Sequence, residues 1–294
     1  MKTKGGEETM TSAVSARRNR FARNIRKHGL THLVLILGAF IMIFPFVWMI
    51  LTSLKTNAES LKLPPTLFPE SFNTESYDLV LDELPFVKLY INTLLMIFWR
   101  VICAVVFSSM AGFAFAKLKF PCKKILFMIV LTQMMLPNQI FVLPQFQMLS
   151  SIRQLNSVFA LVFPGLVSAF GTFFLRQFYM SLPNDLMEAA VIDGCSVGQA
   201  FVRILLPLTK TAMMALAIFT ALFAYSDMMW PLICNTNMDK MTLSAGLSSL
   251  KGLNDTRYPV MMAGATLAMI PMMVIYLIFQ RQFIEGIALT GLKG

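Results

Sequence analysis

The polar residues best placed to do chemistry lie in one passage, EAAVIDGCSVGQAFVRILLP (residues 188–207). It sets Glu188, Asp193, Gln199 and Arg203 between two strongly apolar segments. Bond-making chemistry does not suit this set. A carboxylate acts on a bond only beside a nucleophile, a base or a metal, and no such constellation occurs in the chain. The four cysteines, Cys103, Cys122, Cys195 and Cys234, form no C-x-x-C pair, and both histidines, His28 and His32, precede the first long apolar run. That spacing argues against a metal centre or a disulfide framework, and the cysteines read as small buried residues. The chain contains no G-x-x-x-x-G-K-[ST] phosphate loop, so nucleotide chemistry is not expected on it. What remains is recognition, with carboxylates offered to a partner.

The segment SLPNDLMEAAVIDG shows how they would be offered. Pro183 and Asn184 or Asp185 can start a helix. Leu186, Met187, Ala190 and Val191 recur at helical spacing and give it one apolar side. Gly194 supplies a left-handed residue that stops it. A short amphipathic helix beside a membrane is expected. Helices that rest on lipid headgroups favour Lys and Arg on the polar face. This one carries Asp185, Glu188 and Asp193, which sit poorly beside an anionic leaflet. A cleft on another protein is the better seat.

The elements that must position this helix are membrane spans. Of 294 residues, 56% are hydrophobic and 14% charged, against about 25% charged in soluble domains. The mean hydropathy is +0.67. The length suits one transmembrane domain with no separate soluble domain. Apolar runs predict six spans, at 33–53, 91–116, 125–147, 157–177, 205–229 and 259–280, each near the ~20 residues a bilayer requires. The fold class is therefore all-α and integral to the membrane. Residues 1–30 form a basic N-terminal segment, and 31–294 form the six-span domain, with a polar loop at about 181–207. The run from His32 to Leu54 lacks a small-residue cleavage site and reads as a retained signal anchor. Pro45, Pro137, Pro144, Pro164, Pro231 and Pro271 lie within or at the ends of spans, where neighbouring groups or water must satisfy the carbonyls they free.

The net charge of +10 does not point to nucleic acid, because the basic residues flank spans. Arg17, Arg18, Arg20, Arg23, Arg26 and Lys27 precede the first, and Lys117, Lys119, Lys123 and Lys124 fill a short loop. Residues 55–89 instead hold Glu59, Glu70, Glu75, Asp78, Asp82 and Glu83 against Lys55, Lys62 and Lys88. Cytoplasmic loops carry the basic excess. The N-terminus and 117–124 are thus expected inside and 55–89 outside; counting on through the spans puts 178–204 and the C-terminus inside and 230–258 outside. In the second span, Ala104, Ser108, Gly112 and Ala116 recur every four residues as a packing face.

The loop fits E-A-A-x3-G-x9-I-x-L-P without a gap at Glu188, Ala189, Ala190, Gly194, Ile204, Leu206 and Pro207. This resembles the signature loop of permease subunits of bacterial ABC importers. FTALFAYSDMMWPLI (219–233), MTLSAGL (241–247) and the terminal FQRQFIEGIALTGLKG are similar to the carbohydrate-importer branch, of the maltose-transporter type. That branch commonly reads W-N-D-F-x-W-P-L. Here Tyr225 and Ser226 replace its Trp and Asn, while Asp227, Trp230, Pro231 and Leu232 remain. The resemblance covers 33–294. It implies a type I importer bundle in the bacterial cytoplasmic membrane, and a coupling helix that docks on an ATPase through Glu188, Ala189, Ala190, Asp193 and Gly194. It also implies a second homologous permease, two cytoplasmic ATPase subunits carrying ATP and Mg, an extracytoplasmic solute-binding protein and a sugar cargo amid membrane lipid. No cofactor or metal is expected on this chain.

Recognition of a sugar needs polar groups directed at hydroxyls and flat apolar faces. Asn92, Gln133, Asn138, Gln139, Asp227 and Trp230 are the candidate pathway residues, with Gln145 and Gln147 nearby. The competing use of such amides is hydrogen bonding between helices. Arg100 and Asp227 are charges in or near spans, and so candidates for function. The structural reading is preferred for both: Arg100 snorkels toward the outer surface, and Asp227 caps or braces its span. A permease for another solute is the nearest alternative, disfavoured by WPLI and the terminal LKG. An ion-coupled secondary transporter would need acidic residues or histidines buried mid-span, and the spans hold almost none.

The orientation is directly testable. In a cysteine-free background, an impermeant thiol reagent should label a cysteine placed at Ser71 in cells with a permeabilised outer envelope. It should leave a cysteine at Ser181 unlabelled. The opposite pattern overturns the charge argument.

Overall fold

A computed structural model of the chain describes residue 29, residues 31–250 and residues 257–291, with side chains as far as Arg281. The basic run Arg17–Lys27 and the terminal LKG lie outside the described residues. Among these, helices and turns account for all the regular structure. Helix α1 spans Thr31–Ser53. The next loop holds α2 (Asn57–Ser60) and α3 (Glu75–Glu83). Helix α4 (Phe86–Lys117) runs for 32 residues, more than a bilayer crossing requires. Helix α5 (Lys123–Met135) leads through a 3-10 turn at Asn138–Phe141 into α6 (Val142–Ser151). Helix α7 (Val158–Val162) passes through a 3-10 turn into α8 (Ala169–Ser181). Then come α9 (Asp185–Ile192), α10 (Val197–Ala200), a π turn at Phe201–Leu205 and α11 (Leu206–Leu208). Helices α12 (Lys210–Ser226), α13 (Met229–Cys234), α14 (Leu243–Ser248) and α15 (Tyr258–Gly291) complete the order.

Helices α1, α4 and α15 are each long and apolar enough to cross a membrane, and three bent pairs raise the number to six if each pair is one span. The bends revise the expected edges. The 125–147 segment is no straight helix. It turns by 103° between α5 and α6, because Leu136, which precedes Pro137, is extended (ψ 136°), as a residue before proline tends to be. The 157–177 segment bends by 47° around Pro164 and continues to Ser181. The 205–229 segment begins later, at Lys210, because 197–208 lies at 74° to α12.

Helix α4 is the central post, packed mainly on α8 and α12. The small-residue face is what admits α8. A Cβ on Gly112 would come within 2.9 Å of the Arg176 backbone nitrogen, and one on Gly171 within 2.4 Å of Ser108 Oγ. Such approach lets two backbones exchange close dispersion contacts.

The loops separate into two ends. At one, Lys117 Nζ donates to the Leu182 carbonyl at 2.6 Å and to Asn184 Oδ1 at 2.8 Å, tying the end of α4 to the segment before α9. At the other, Lys88 pairs with Asp239 at 2.5 Å, Arg257 with Glu83 at 2.6 Å, and Asn156 Oδ1 accepts from the Thr236 and Asn237 amides. Glu59, only 4% exposed, accepts there from Thr66 Oγ1 and the Glu70 amide. Residues 118–122 and 182–209 thus share one end, and 54–85 and 235–250 the other.

Proline positions find specific partners. Pro271 lies inside α15 and has no N–H for the Leu267 carbonyl one turn back. The Tyr90 hydroxyl donates to that carbonyl at 2.6 Å, and the Tyr225 hydroxyl donates to the next one, Ala268. Tyr90→Phe should leave the Leu267 carbonyl unsatisfied, at a cost of about 1–3 kcal/mol. The thermal midpoint of the detergent-solubilised protein should fall. An unchanged midpoint contradicts the role.

Candidate functional site

Helix α9 is short, and its two ends are held differently. Its first turn follows Asn184, which Lys117 anchors. Its last turn closes in a Schellman motif: the Cys195 amide donates to the Ala190 carbonyl at 2.9 Å, and the Gly194 amide to Val191 at 3.0 Å. The motif needs a left-handed residue, and Gly194 has φ of +83°. The helix turns Met187 and Ala190 inward, Met187 against the cluster of Phe113, Leu175, Tyr179 and Leu205. It turns Asp185, Glu188, Ala189 and Ile192 outward, positions that share one helical face. Ile192 is 85% exposed. Two carboxylates, a small residue and a bare apolar side chain therefore form a compact exposed face, with Asp193 exposed beside it. Val191, expected on the inner side, is half exposed.

The rest of the signature supports this helix from behind. Ser196 and Gln199 form a capping box that starts α10. Ile204 lies in the π turn and Leu206 in α11, both half-buried, and Pro207 is exposed. Lys117, Phe201 and Thr209 also hold the segment. Sequence reasoning did not single them out for this role, because their partners are 30 or more residues away.

The other polar candidates fall in three places. Asn92 Nδ2 donates to the Asp239 and Met241 carbonyls at 2.9 and 3.0 Å, joining α4 to the loop before α14. Gln133, Asn138 and Gln139 lie at the α5–α6 bend, exposed and with no side-chain hydrogen bond to the described residues. Asp227 and Trp230 meet around Arg100. Arg100 NH1 donates to Asp227 Oδ2 at 2.8 Å, and its Nε and NH2 donate to the Leu161 carbonyl at 2.8 and 2.5 Å.

Residues 104–288 match the family described as binding-protein-dependent transport system inner membrane component. The chain belongs to that family. It is 32% identical over 259 residues to the arabinooligosaccharides transport system permease protein AraQ of Halalkalibacterium halodurans, covering 87% of this chain and 93% of the relative. It is 31% identical over 272 residues to the sn-glycerol-3-phosphate transport system permease protein UgpE of Salmonella typhi, covering 89% and 97%. Its fold matches a chain from the crystal structure of a bacterial ABC transporter involved in the import of the acidic polysaccharide alginate. The TM-score is 0.73 at 20% identity, over 88% of this chain and 97% of that one. The chain is thus an inner-membrane permease, a transport subunit and not an enzyme. A system of this family works with a solute-binding protein and an ATPase.

Within this permease, Arg100 does not snorkel. It is 7% exposed and turned inward. The reason is local chemistry. Pro164 has no N–H for the Ala160 carbonyl, and Trp230 Nε1 donates to that oxygen at 2.8 Å. The adjoining Leu161 carbonyl takes the guanidinium. Gly165 leaves room for the arginine stem, since a Cβ there would lie 2.7 Å from Arg100 Cγ. Asp227 then balances the charge, accepts from the Trp230 amide at 3.3 Å through Oδ1, and through its carbonyl accepts from Ser244 at 2.9 Å. Asp227 thus links α12, α13 and α14. Removing one partner of a buried ion pair leaves an uncompensated charge, worth about 3–5 kcal/mol. Asp227→Ala should therefore sharply reduce the thermal midpoint and membrane abundance. Normal abundance and midpoint would show that the pair carries no such weight.

Proposed function

We propose that this chain is one permease subunit of an ATP-driven importer of a sugar or oligosaccharide, and that α9 is the helix through which it is driven. The single observation carrying the reading is the exposed Asp185–Glu188–Ala189–Ile192 face, locked in shape by the Gly194 turn and seated by Met187. A rigid acidic face suits a groove with a basic residue. Small Ala189 permits close approach, and Ile192 has no apolar cover among the described residues.

In this reading two ATPase subunits bind ATP and Mg beneath the membrane, a second homologous permease completes the pathway, and a solute-binding protein delivers cargo from outside. Both termini are cytoplasmic. The basic 117–124 loop at one end of α4, against the acidic 54–85 loop at the other, supports that orientation. The driving free energy enters because ATP binds the two arrangements of the assembly unequally. Polyhydroxylated cargo is supported by the relatives, whose names specify arabino-oligosaccharides and sn-glycerol-3-phosphate. Gln133, Asn138 and Gln139 are the groups free to meet it, whereas Asn92, Asp227 and Trp230 already bond within the chain. Bends such as α5–α6 are tolerated in membranes where backbone faces protein or a water-filled cavity.

The test is assembly and uptake in proteoliposomes, using labelled arabino-oligosaccharides and maltodextrins. The full set of subunits should import with ATP inside, and this chain alone should import nothing. Glu188→Lys should weaken ATPase binding at least ~30-fold, the scale for losing a buried charge pair at an interface, with the spans still inserted. Normal co-purification and uptake by that variant refute the docking role. Uptake by the lone chain under an ion gradient establishes a secondary transporter instead.

A further inference from the structure

Tyr179 is fully buried, and its hydroxyl sits between two others. Ser109 Oγ of α4 lies 2.6 Å away, and Thr209 Oγ1, at the junction of α11 and α12, lies 3.3 Å away. A hydroxyl both donates and accepts, so Tyr179 joins α8 to two further elements through one atom. Thr209 Oγ1 also approaches the Leu205 and Leu206 carbonyls, at 3.2 and 3.0 Å. These belong to the last turns of the segment on which α9 rests. The aromatic packing repeats the connection. Phe201, which opens the π turn, stacks on Phe113 of α4 at 4.6 Å, and the Tyr179 ring meets both, at 6.0 and 6.2 Å.

Stability alone does not call for this arrangement. Apolar side chains of matching shape at 109, 179 and 209 together would fill the same volume and bring no polar atom with them. Replacing all the partners of a buried hydrogen bond by apolar groups of equal shape is often nearly neutral. A hydrogen bond differs from apolar packing in being directional. Apolar surfaces can slide, whereas a buried hydroxyl separated from its partner is left unsatisfied at full cost. The bond therefore resists displacement just where the chain turns by 74° between 197–208 and α12. π turns are frequent at functional positions.

We propose that Tyr179 is a positioning residue for energy coupling: its hydroxyl carries movement of the docking segment 185–209 into α4 through Ser109 and Thr209. The proposal rests on the reading of α9 as the docking helix. Tyr179 touches neither cargo nor nucleotide. It acts by making α4 follow the segment that the ATPase moves.

The experiment uses the whole assembly, with sister permease and ATPase subunits, in nanodiscs. Amide hydrogen exchange is measured by mass spectrometry with and without ATP and vanadate, and no cargo is needed. In the unmodified assembly, ATP should change exchange in 185–209 and also in 104–116 of α4. With Tyr179→Phe, the change in 185–209 should persist and the change in 104–116 should be lost. Thr209→Val should behave likewise, and Thr209→Ser, which keeps the hydroxyl, should restore the response. A merely structural role would shift exchange equally with and without ATP, so the nucleotide-dependent difference separates the two. An α4 response in Tyr179→Phe equal to that of the unmodified assembly overturns the relay. If that variant does not assemble, Thr209→Val decides by the same criterion. Absence of any ATP response in 185–209 of the unmodified assembly overturns the docking reading itself, and the relay with it.

Discussion

A backbone carbonyl in hydrocarbon must find a donor inside the protein, and much of this structure follows from that requirement. Pro164 and Pro271 each lack the N–H that would meet the carbonyl four residues earlier. Those carbonyls belong to Ala160 and Leu267. Each accepts from a side chain distant in sequence: Trp230 and Tyr90 respectively. Places where the spans lose internal bonds thus become cross-links between spans. Arg100 extends the same logic. It fills the Leu161 carbonyl beside the Pro164 break and then needs Asp227 to neutralise it. A guanidinium suits the task, because its planar fork serves two acceptors at once.

The two ends of the bundle contrast in their ties. The end with α2, α3, α13 and α14 is braced by ion pairs, the buried Glu59 and the Asn156 and Asn235 amide contacts. The end with α9 is held by the lysine clamp at Lys117, the Gly194 turn and an aromatic cluster, while one helical face stays bare. The docking role proposed for α9 needs that combination: a face rigid enough to transmit and open enough to bind, with a connected path leading inward. Small residues serve rigidity in the middle of the bundle, where Ser108 and Gly112 of α4 meet Gly171 and the Leu175–Arg176 backbone of α8.

Some of this was legible in the residues alone. Hydropathy specified a membrane protein, since a segment of ~20 apolar residues has few other stable fates. Charge bias separated the 117–124 loop from 55–89, and the structure puts those two loops at opposite ends of α4. Local spacing announced α9, because a helix start at Asn184–Asp185, apolar positions one turn apart and a left-handed glycine all act within a dozen residues. Its observed bounds, Asp185–Ile192, agree with that reading. The four-residue repeat in α4 predicted a close neighbour without naming α8.

The tertiary structure decided whatever depends on partners far along the chain. Prolines were visible as breaks, but that the segment merely bends by 47° around Pro164 and folds through 103° at Pro137 is seen only in the folded chain. Arg100 read as a snorkelling charge because its sequence neighbours are apolar. Only folding brings Leu161 and Asp227 to it, from 61 and 127 residues away. Tyr179 was one aromatic among many until Ser109 and Thr209 converged on its hydroxyl. Helical periodicity and hydropathy act over one turn or one bilayer width, so they leave their mark in contiguous residues. The satisfaction of a buried polar atom is a property of the assembled interior, and contiguous residues do not record it.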